Sequence, residues 1–235
     1  MVVHGANALR DRLAERLGVE KRTLTSVSGY TSVYSDRELI DVMLMAYAGL
    51  RNKRIVESLQ GHGVNAVGLT GLDGAMVRGM RNKGIRVREG GRTLIKRDFS
   101  GKPVAVNRKL LGLLLDNEFT PVLTVPIIDE RNAAVNSEND DIVTVLAAAL
   151  APELVVQLIE APGFLEDEND PASVVASISR AGLATLEREA TGRMKRKLLA
   201  IRRLVESGSA KVVIGDGRSE TPVADVRAGK GTVIG

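Results

Sequence analysis

Four glycine-bearing turns follow apolar runs in this 235-residue sequence: HGAN (4–7), GLTGLDG (68–74), EAPGF (160–164) and GDGR (215–218). Glycine lets backbone N–H groups approach an anion, and a helix opening behind the turn adds the positive end of its dipole. In open α/β sheets ligands bind at the carboxyl ends of strands, where these turns fall. Four such turns in one sheet point to a phosphorylated ligand. The sequence has neither a Walker A motif nor GxGxxG. Ordinary P-loop and dinucleotide readings are therefore disfavoured.

A second feature is electrostatic. Residues Val77 to Asp98 carry eight basic side chains (Arg78, Arg81, Lys83, Arg86, Arg88, Arg92, Lys96, Arg97) against Glu89 and Asp98. The segment has the form of a β-hairpin: GIRVRE alternates with period two, Gly90-Gly91 is a turn signal, and RTLIKR resumes the strand. Two readings stand. The cations protect a solvated edge from pairing, or they guide an acidic macromolecule.

Strands alternate with helices along the chain. MVVH, NAVGLT (65–70), PVLTVPII, LVVQLIE and AKVVIGDG read as strands. Asn7 to Leu17, Leu39 to Leu59, Asn107 to Asn117, Asp141 to Leu150 and Met194 to Ser207 read as helices. Ser35-Asp36-Arg37-Glu38 is a helix start. The expected fold class is α/β, an αβα sandwich with a mostly parallel central sheet. Residues 1–150 would form an amino-terminal lobe and 151–235 a carboxyl-terminal lobe of one continuous domain.

Composition narrows the class. Hydrophobic residues make up 44 %, net charge is +4, and there is no Cys or Trp. Disulfides and thiolate metal sites are excluded. Three Phe and three Tyr are too scattered for a single-strand stacking platform, so no nucleic-acid partner is expected. No apolar run reaches membrane-spanning length, and the expected setting is the cytoplasm. The Met43, Met45 and Ala46 stripe reads as core or as the surface of a homodimer.

The motifs together resemble the amino acid kinase superfamily, on its acetylglutamate kinase branch. HGAN is similar to that branch's HGGG loop, and GLTGLDG to its GLSGxDG turn. Asn136 to Asp140 resembles NxNxD. LIEAPG is similar to LTDVPG, GRMKRK to GGMxxK, and GDGR…GKGTVI to the family's closing segment. The match runs in order from first residue to last. SGYTSVYSD and the basic hairpin look most like the carrier-linked kinases of lysine and arginine biosynthesis. Those phosphorylate the side-chain carboxylate of 2-aminoadipate or glutamate whose α-amine is joined to a small acidic carrier protein.

The resemblance implies ATP and Mg2+ as cofactors and gives residues their roles. Gly5 and Ala6 would hold the transferred phosphoryl group. Lys197 would neutralise the leaving phosphate, beside Lys195 and Arg196 on a solvated helix face. Asp140 would orient catalytic lysines, with Asp141 as the alternative in register. Asn136 would touch the amino acid, and Gly68, Gly71 and Gly74 would shape the turn beside it. Glu160, Gly163, Asp216, Gly217 and Arg218 would surround the nucleotide. Arg81, Lys83, Arg86 and Arg88 would meet the carrier. A free N-acetylglutamate kinase is the alternative activity, and a non-catalytic binding or interaction domain is the alternative class. The family opens with a Lys-x-Gly-Gly strand that has no counterpart before His4. The expectation is a first strand missing from this sequence and weak phosphoryl transfer without it. Val33 stands where the family often has an arginine, and Ile159-Glu160 where it has Thr-Asp.

Overall fold

The computed structural model describes residues 1–167, 169–190, 192–206 and 211–235, with the side chains of residues 192–197 outside the described set. The fold is α/β, with helices flanking mixed sheets. Two compact units divide it, residues 1–146 and 147–235.

The first unit opens with β1 (Val2–Val3) and α1 (Asn7–Arg16), then a small hairpin of β2 (Thr23–Thr25) and β3 (Thr31–Val33). A long helix follows in three parts: α2 (Arg37–Met43), a wider turn over Leu44–Arg51, and α3 (Asn52–Gly61). Its start is the one expected, since the Asp36 carboxylate accepts from Leu39 N at 2.9 Å. Then come β4 (Ala66–Gly71), β5 (Val77–Arg81), β6 (Ile85–Glu89), β7 (Arg92–Lys96), β8 (Gly101–Val106), α4 (Arg108–Asp116), β9 (Thr120–Ile128) and β10 (Ala134–Val135). Helix α5 (Asn139–Leu150) runs through the boundary.

Strand β9 is the axis of this unit. β1 and β4 run parallel to it along its first half; β10 pairs antiparallel and β5 parallel at its end. β8 closes the far side antiparallel to β5. Parallel strands buried on both faces are continuously apolar, and β9 is buried at all seven positions from Pro121 to Ile127. Leu123, Val125 and Ile127 pack with Ile40, Met43, Tyr47, Met76, Leu111 and Ile142 in one core. Each such side chain contributes about 1.5–3 kcal/mol by leaving water.

The basic segment divides. Arg78 and Arg81 belong to β5, inside the main sheet. Only β6 and β7 make the hairpin, in the register Glu89↔Arg92 around Gly90 and Gly91. Both glycines have positive φ, 54° and 75°, as a two-residue turn of this hand requires. Val87 is the buried residue of β6, while Arg86 and Arg88 face out.

The second unit contains β11 (Leu154–Ile159), β12 (Ser177–Ile178), α6 (Arg180–Glu189), α7 (Gly192–Glu206), β13 (Lys211–Asp216), α8 (Pro222–Arg227) and β14 (Thr232–Ile234). Its sheet order is β11-β13-β14-β12, with β13 and β14 antiparallel and the other pairs parallel. Arg202 of α7 binds Glu187 of α6 at 2.5 Å and Glu206 at 2.9 Å. Among the described residues no helix is long and apolar enough to cross a membrane.

Close packing sets two glycines apart. A Cβ on Gly71 would sit 2.8 Å from Ile127 Cα, whereas one on Gly112 of α4 would meet only Asp116 Oδ2 at 3.9 Å. Gly71→Ala should therefore destabilise the first unit by about 1–3 kcal/mol through overpacking. Gly112→Ala should stabilise it by about 0.5–1 kcal/mol through the unfolded chain's lost entropy. Urea denaturation of both variants beside the parent checks the opposite signs.

Candidate active site

Because β1, β4 and β9 are parallel, their carboxyl ends fall on one edge of the first unit. That edge carries HGAN, GLTGLDG and the end of β9. His4 prolongs β1, its N–H donating to Leu123 O at 3.1 Å, and Thr124 Oγ1 donates to His4 O at 2.9 Å. The chain then turns at Gly5 and Ala6 and enters α1, whose first-turn N–H groups have no side-chain cap. Uncapped donors of this kind suit an anion.

The loop is held from beneath by side chains. Asn7 Oδ1 accepts from Tyr47 Oη at 2.6 Å and from Arg10 Nη1 at 3.1 Å. Asn52 Nδ2 lies 3.1 Å from His4 Nε2 and donates to Val122 O at 2.9 Å. An amide nitrogen only donates, so Nε2 accepts and the His4 proton sits on Nδ1, 3.3 Å from Gly5 O. Burial pushes the Tyr47 hydroxyl above its ordinary pKa, with Arg10 and the Ala6 backbone opposing. It therefore stays a donor. On the other side, a Cβ on Gly5 would be 3.3 Å from Asn139 Nδ2, which brings the first turn of α5 against the loop. Asp140 and Asp141 lie in that same turn, both half-buried.

Asn136 is fixed nearby. Its Nδ2 donates to Ser35 Oγ at 2.9 Å, and its N–H to Phe99 O at 2.7 Å. Asp98, 3 % exposed, ties this corner together. It accepts from Ser35 N at 3.1 Å and from Ser100 N and Oγ at 3.2 and 2.5 Å. Ser137 Oγ and Asn139 Oδ1, either side of Glu138, are buried atoms without a hydrogen-bond partner. Polar atoms left in that state invite a ligand or water.

The glycines of GLTGLDG are explained by packing. Gly68 makes room for Asn52, whose Oδ1 would be 1.9 Å from an added Cβ, and Gly74 for Leu110 at 2.5 Å. Asp73 closes the turn, accepting from Thr70 N at 2.6 Å and Thr70 Oγ1 at 2.8 Å.

In the second unit β11 and β13 pair with Ile159 opposite Asp216, so EAPGF and GDGR leave the sheet side by side. Gly217 N donates to Ile159 O at 2.7 Å. Phe164 N donates to Thr232 Oγ1 at 2.8 Å, and Gly163 is pressed against that threonine. Arg218 grips Asp216 through Nε and Nη2, both at 2.8 Å, and the pairing holds the Asp216 carboxyl at about 2. Glu160 adds to the field that raises Arg218. Lys197 falls within α7, and its side chain lies outside the described residues.

Of the basic residues expected to meet a carrier, Lys83, Arg86 and Arg88 are exposed at the hairpin. Arg81 is placed differently. Its Nε donates to Asp98 O at 2.9 Å and its guanidinium stacks 3.9 Å from the Phe99 ring centre. Tyr47 and Asn52 escaped the sequence reading because neither sits in a motif-like cluster; Ser35 was read only as part of a helix start and Asp98 only as an acidic residue of the basic segment.

The state of His4 has a stability consequence. Burial lowers its pKa, the Gly5 carbonyl opposes this, and the Arg51 charge adds to it. The unfolded imidazole binds its proton more readily, so this contribution is fully present above about pH 6.5 and is lost as pH falls below it. Urea midpoints should drop between about pH 7.5 and about pH 5.5, roughly one unit either side of the free value. The drop should shrink in His4→Gln. Equal drops in both proteins would locate the effect elsewhere.

Comparison with known proteins places this geometry. The chain is 39 % identical over 237 residues to a protein named LysW-aminoadipate kinase from Thermus thermophilus, covering 100 % of this chain and 88 % of that one. It is 31 % identical over 236 residues to an acetylglutamate kinase from Methanopyrus kandleri, covering 100 % and 90 %. A crystal structure of N-acetylglutamate synthase from Neisseria gonorrhoeae superposes with a TM-score of 0.78 at 19 % identity, over 99 % of this chain and 50 % of that one. That last likeness concerns the fold alone. The amino acid kinase family pattern matches residues 1–216, and the chain belongs to the amino acid kinase family.

Proposed function

We propose that this protein transfers the γ-phosphoryl group of ATP to the side-chain carboxylate of 2-aminoadipate or glutamate carried on a small acidic protein. A carboxylate oxygen forms the new bond to phosphorus, the bond to the bridging oxygen breaks, and ADP leaves with an acyl phosphate as product. The observation that carries this reading is the full-length 39 % identity to a LysW-aminoadipate kinase. The 31 % identity to an acetylglutamate kinase keeps a free N-acetylated substrate as the second reading.

Phosphoryl transfer asks a protein mainly for position and charge stabilisation. Under this reading residues 1–150 hold substrate and carrier, with Gly5 and Ala6 at the phosphoryl group, Asn136 at the amino acid and Asp140 orienting cations. Gly68, Gly71 and Gly74 shape the turn. Residues 151–235 hold nucleotide through the turns of Glu160, Gly163, Asp216, Gly217 and Arg218, and Lys197 meets the leaving phosphate. Mg2+ would bind largely through the substrate phosphates, keeping few protein ligands. The working form is a cytoplasmic homodimer.

The hairpin suits an acidic partner. Ile95 of β7 is 63 % exposed and pairs with Arg86, on the hairpin face that also carries Arg88. An exposed apolar residue among cations suits a protein interface. Trapping the acyl phosphate with hydroxylamine tests the activity. Carrier-linked substrate should yield hydroxamate and free N-acetylglutamate should not; the reverse pattern selects the second reading.

Four variants sharpen the test. Changing Lys83, Arg86 and Arg88 together to Gln should slow carrier association, strongly at low salt and weakly at high salt. Stopped-flow rates across a salt series measure this. Arg81→Gln should instead cost stability, because Arg81 is stacked inside the fold. For Lys197→Ala, kcat should fall far more than KM for ATP rises, since its partner charge develops in the transition state. Lys195→Ala is the matched control and should change little.

A further inference from the structure

The long helix changes pitch between Leu44 and Arg51, where the Asn52 N–H donates to Tyr47 O across five residues. On a helix of 3.6 residues per turn, side chains five apart diverge by about 140°. The wider turn brings this pair round to one side. Tyr47 Oη then reaches Asn7 and Asn52 Nδ2 reaches His4, the two ends of the HGAN loop. Turns of this width are rare and concentrate at functional sites.

Asn52 has a second peculiarity. It is 1 % exposed, and its Oδ1 is buried with no hydrogen-bond partner. Leaving a buried acceptor unpaired is costly. The neighbouring strand accommodates it, because Gly68 leaves room that any Cβ would close. An apolar side chain would avoid that cost. What it could not do is donate both to Val122 O on β9 and to His4, fastening the loop to the central strand.

We propose that Tyr47 and Asn52 are positioning residues for the HGAN loop, aiming the backbone N–H groups of Gly5 and Ala6 at a phosphoryl group. This rests on the kinase reading above. Neither side chain touches the reacting atoms. Donors that stabilise a transferring phosphoryl group must be aimed before the reaction, so loosening the loop costs rate before it costs affinity.

Tyr47→Phe removes one oxygen and Asn52→Ala removes the fastening; Leu113→Ala, at an exposed position of α4, is the control. Both test variants should lower kcat by at least about tenfold, short of the roughly 100-fold or more that losing a donor outright costs. KM for the carrier-linked substrate should stay within about twofold. A second arm needs no turnover. Inorganic pyrophosphate titrated into 15N-labelled protein should shift the Gly5 and Ala6 amides saturably in the parent and in Leu113→Ala. The response should weaken in Tyr47→Phe and Asn52→Ala. Parental kcat in both variants overturns the proposal. So does a rate loss that only follows the folded fraction in urea, or amides that ignore pyrophosphate in the parent. If the parent makes no acyl phosphate while its amides still respond as described, the kinase reading fails and the positioning role stands.

Discussion

Burying a parallel strand on both faces leaves no place for a polar side chain unless it is paired. Strand β9 imposes that condition on the first unit. Its neighbours must come close enough to complete every backbone hydrogen bond, and Gly71 and Gly79 are the result. An added Cβ on either would lie within 3.0 Å of Ile127 atoms. Polar groups that do reach β9 are committed. Asn52 donates to Val122 O, and Thr124 Oγ1 donates outward to His4 O. The loop that follows β1 is thus anchored to the most rigid part of the unit, as a site requiring fixed donors should be.

What the sequence made legible follows from locality. The β6–β7 hairpin was readable because alternation and a Gly-Gly turn both act over a few residues. The Asp36 start of the long helix and the Asn107 start of α4 were readable because caps are local too. The turns after β4, β11 and β13 were found from their glycines. Missed elements are short or carry a conflicting signal: β8 contains Pro103, β14 has three residues, and α8 has six. The continuity of the basic segment was overread. Arg81 shares its charge with the hairpin, but its strand belongs to the main sheet.

The candidate site was legible only where its residues are contiguous. Tyr47 and Asn52 fall on different faces under a 3.6-residue period, so no periodicity argument could pair them. Only a local change of pitch does. Asp98 looked like the acidic end of a basic run. In the fold it is a buried acceptor that joins Ser35 to Ser100, while the Phe99 carbonyl receives Asn136. Gly68, named for the turn it opens, also has the Asn52 amide as its neighbour. These meanings arise from contacts far apart in sequence.

Exposed charge pairs occur in both units, Arg22 with Asp36 and Arg54 with Glu57 in the first among them, but the two sets of glycine turns differ in the polarity around them. In the second, exposed charges pair with one another: Asp216 with Arg218, and Asp225 with Lys230 and Ser219. Exposed pairs of this sort are screened by water and yield when a charged ligand arrives. In the first, the side chains that touch His4 and Asn7 from the long helix are neutral, an amide and a phenol whose proton is retained. The imidazole of His4 is biased toward its neutral form as well. A carboxylate in their place would repel an incoming phosphoryl group. A cation would attract it as strongly before reaction as during it, which raises affinity without raising rate. Neutral side chains do neither. They fix the direction of the Gly5 and Ala6 backbone N–H groups, and under the kinase reading proposed above the charge that develops along the reaction is met by those donors together with Lys197.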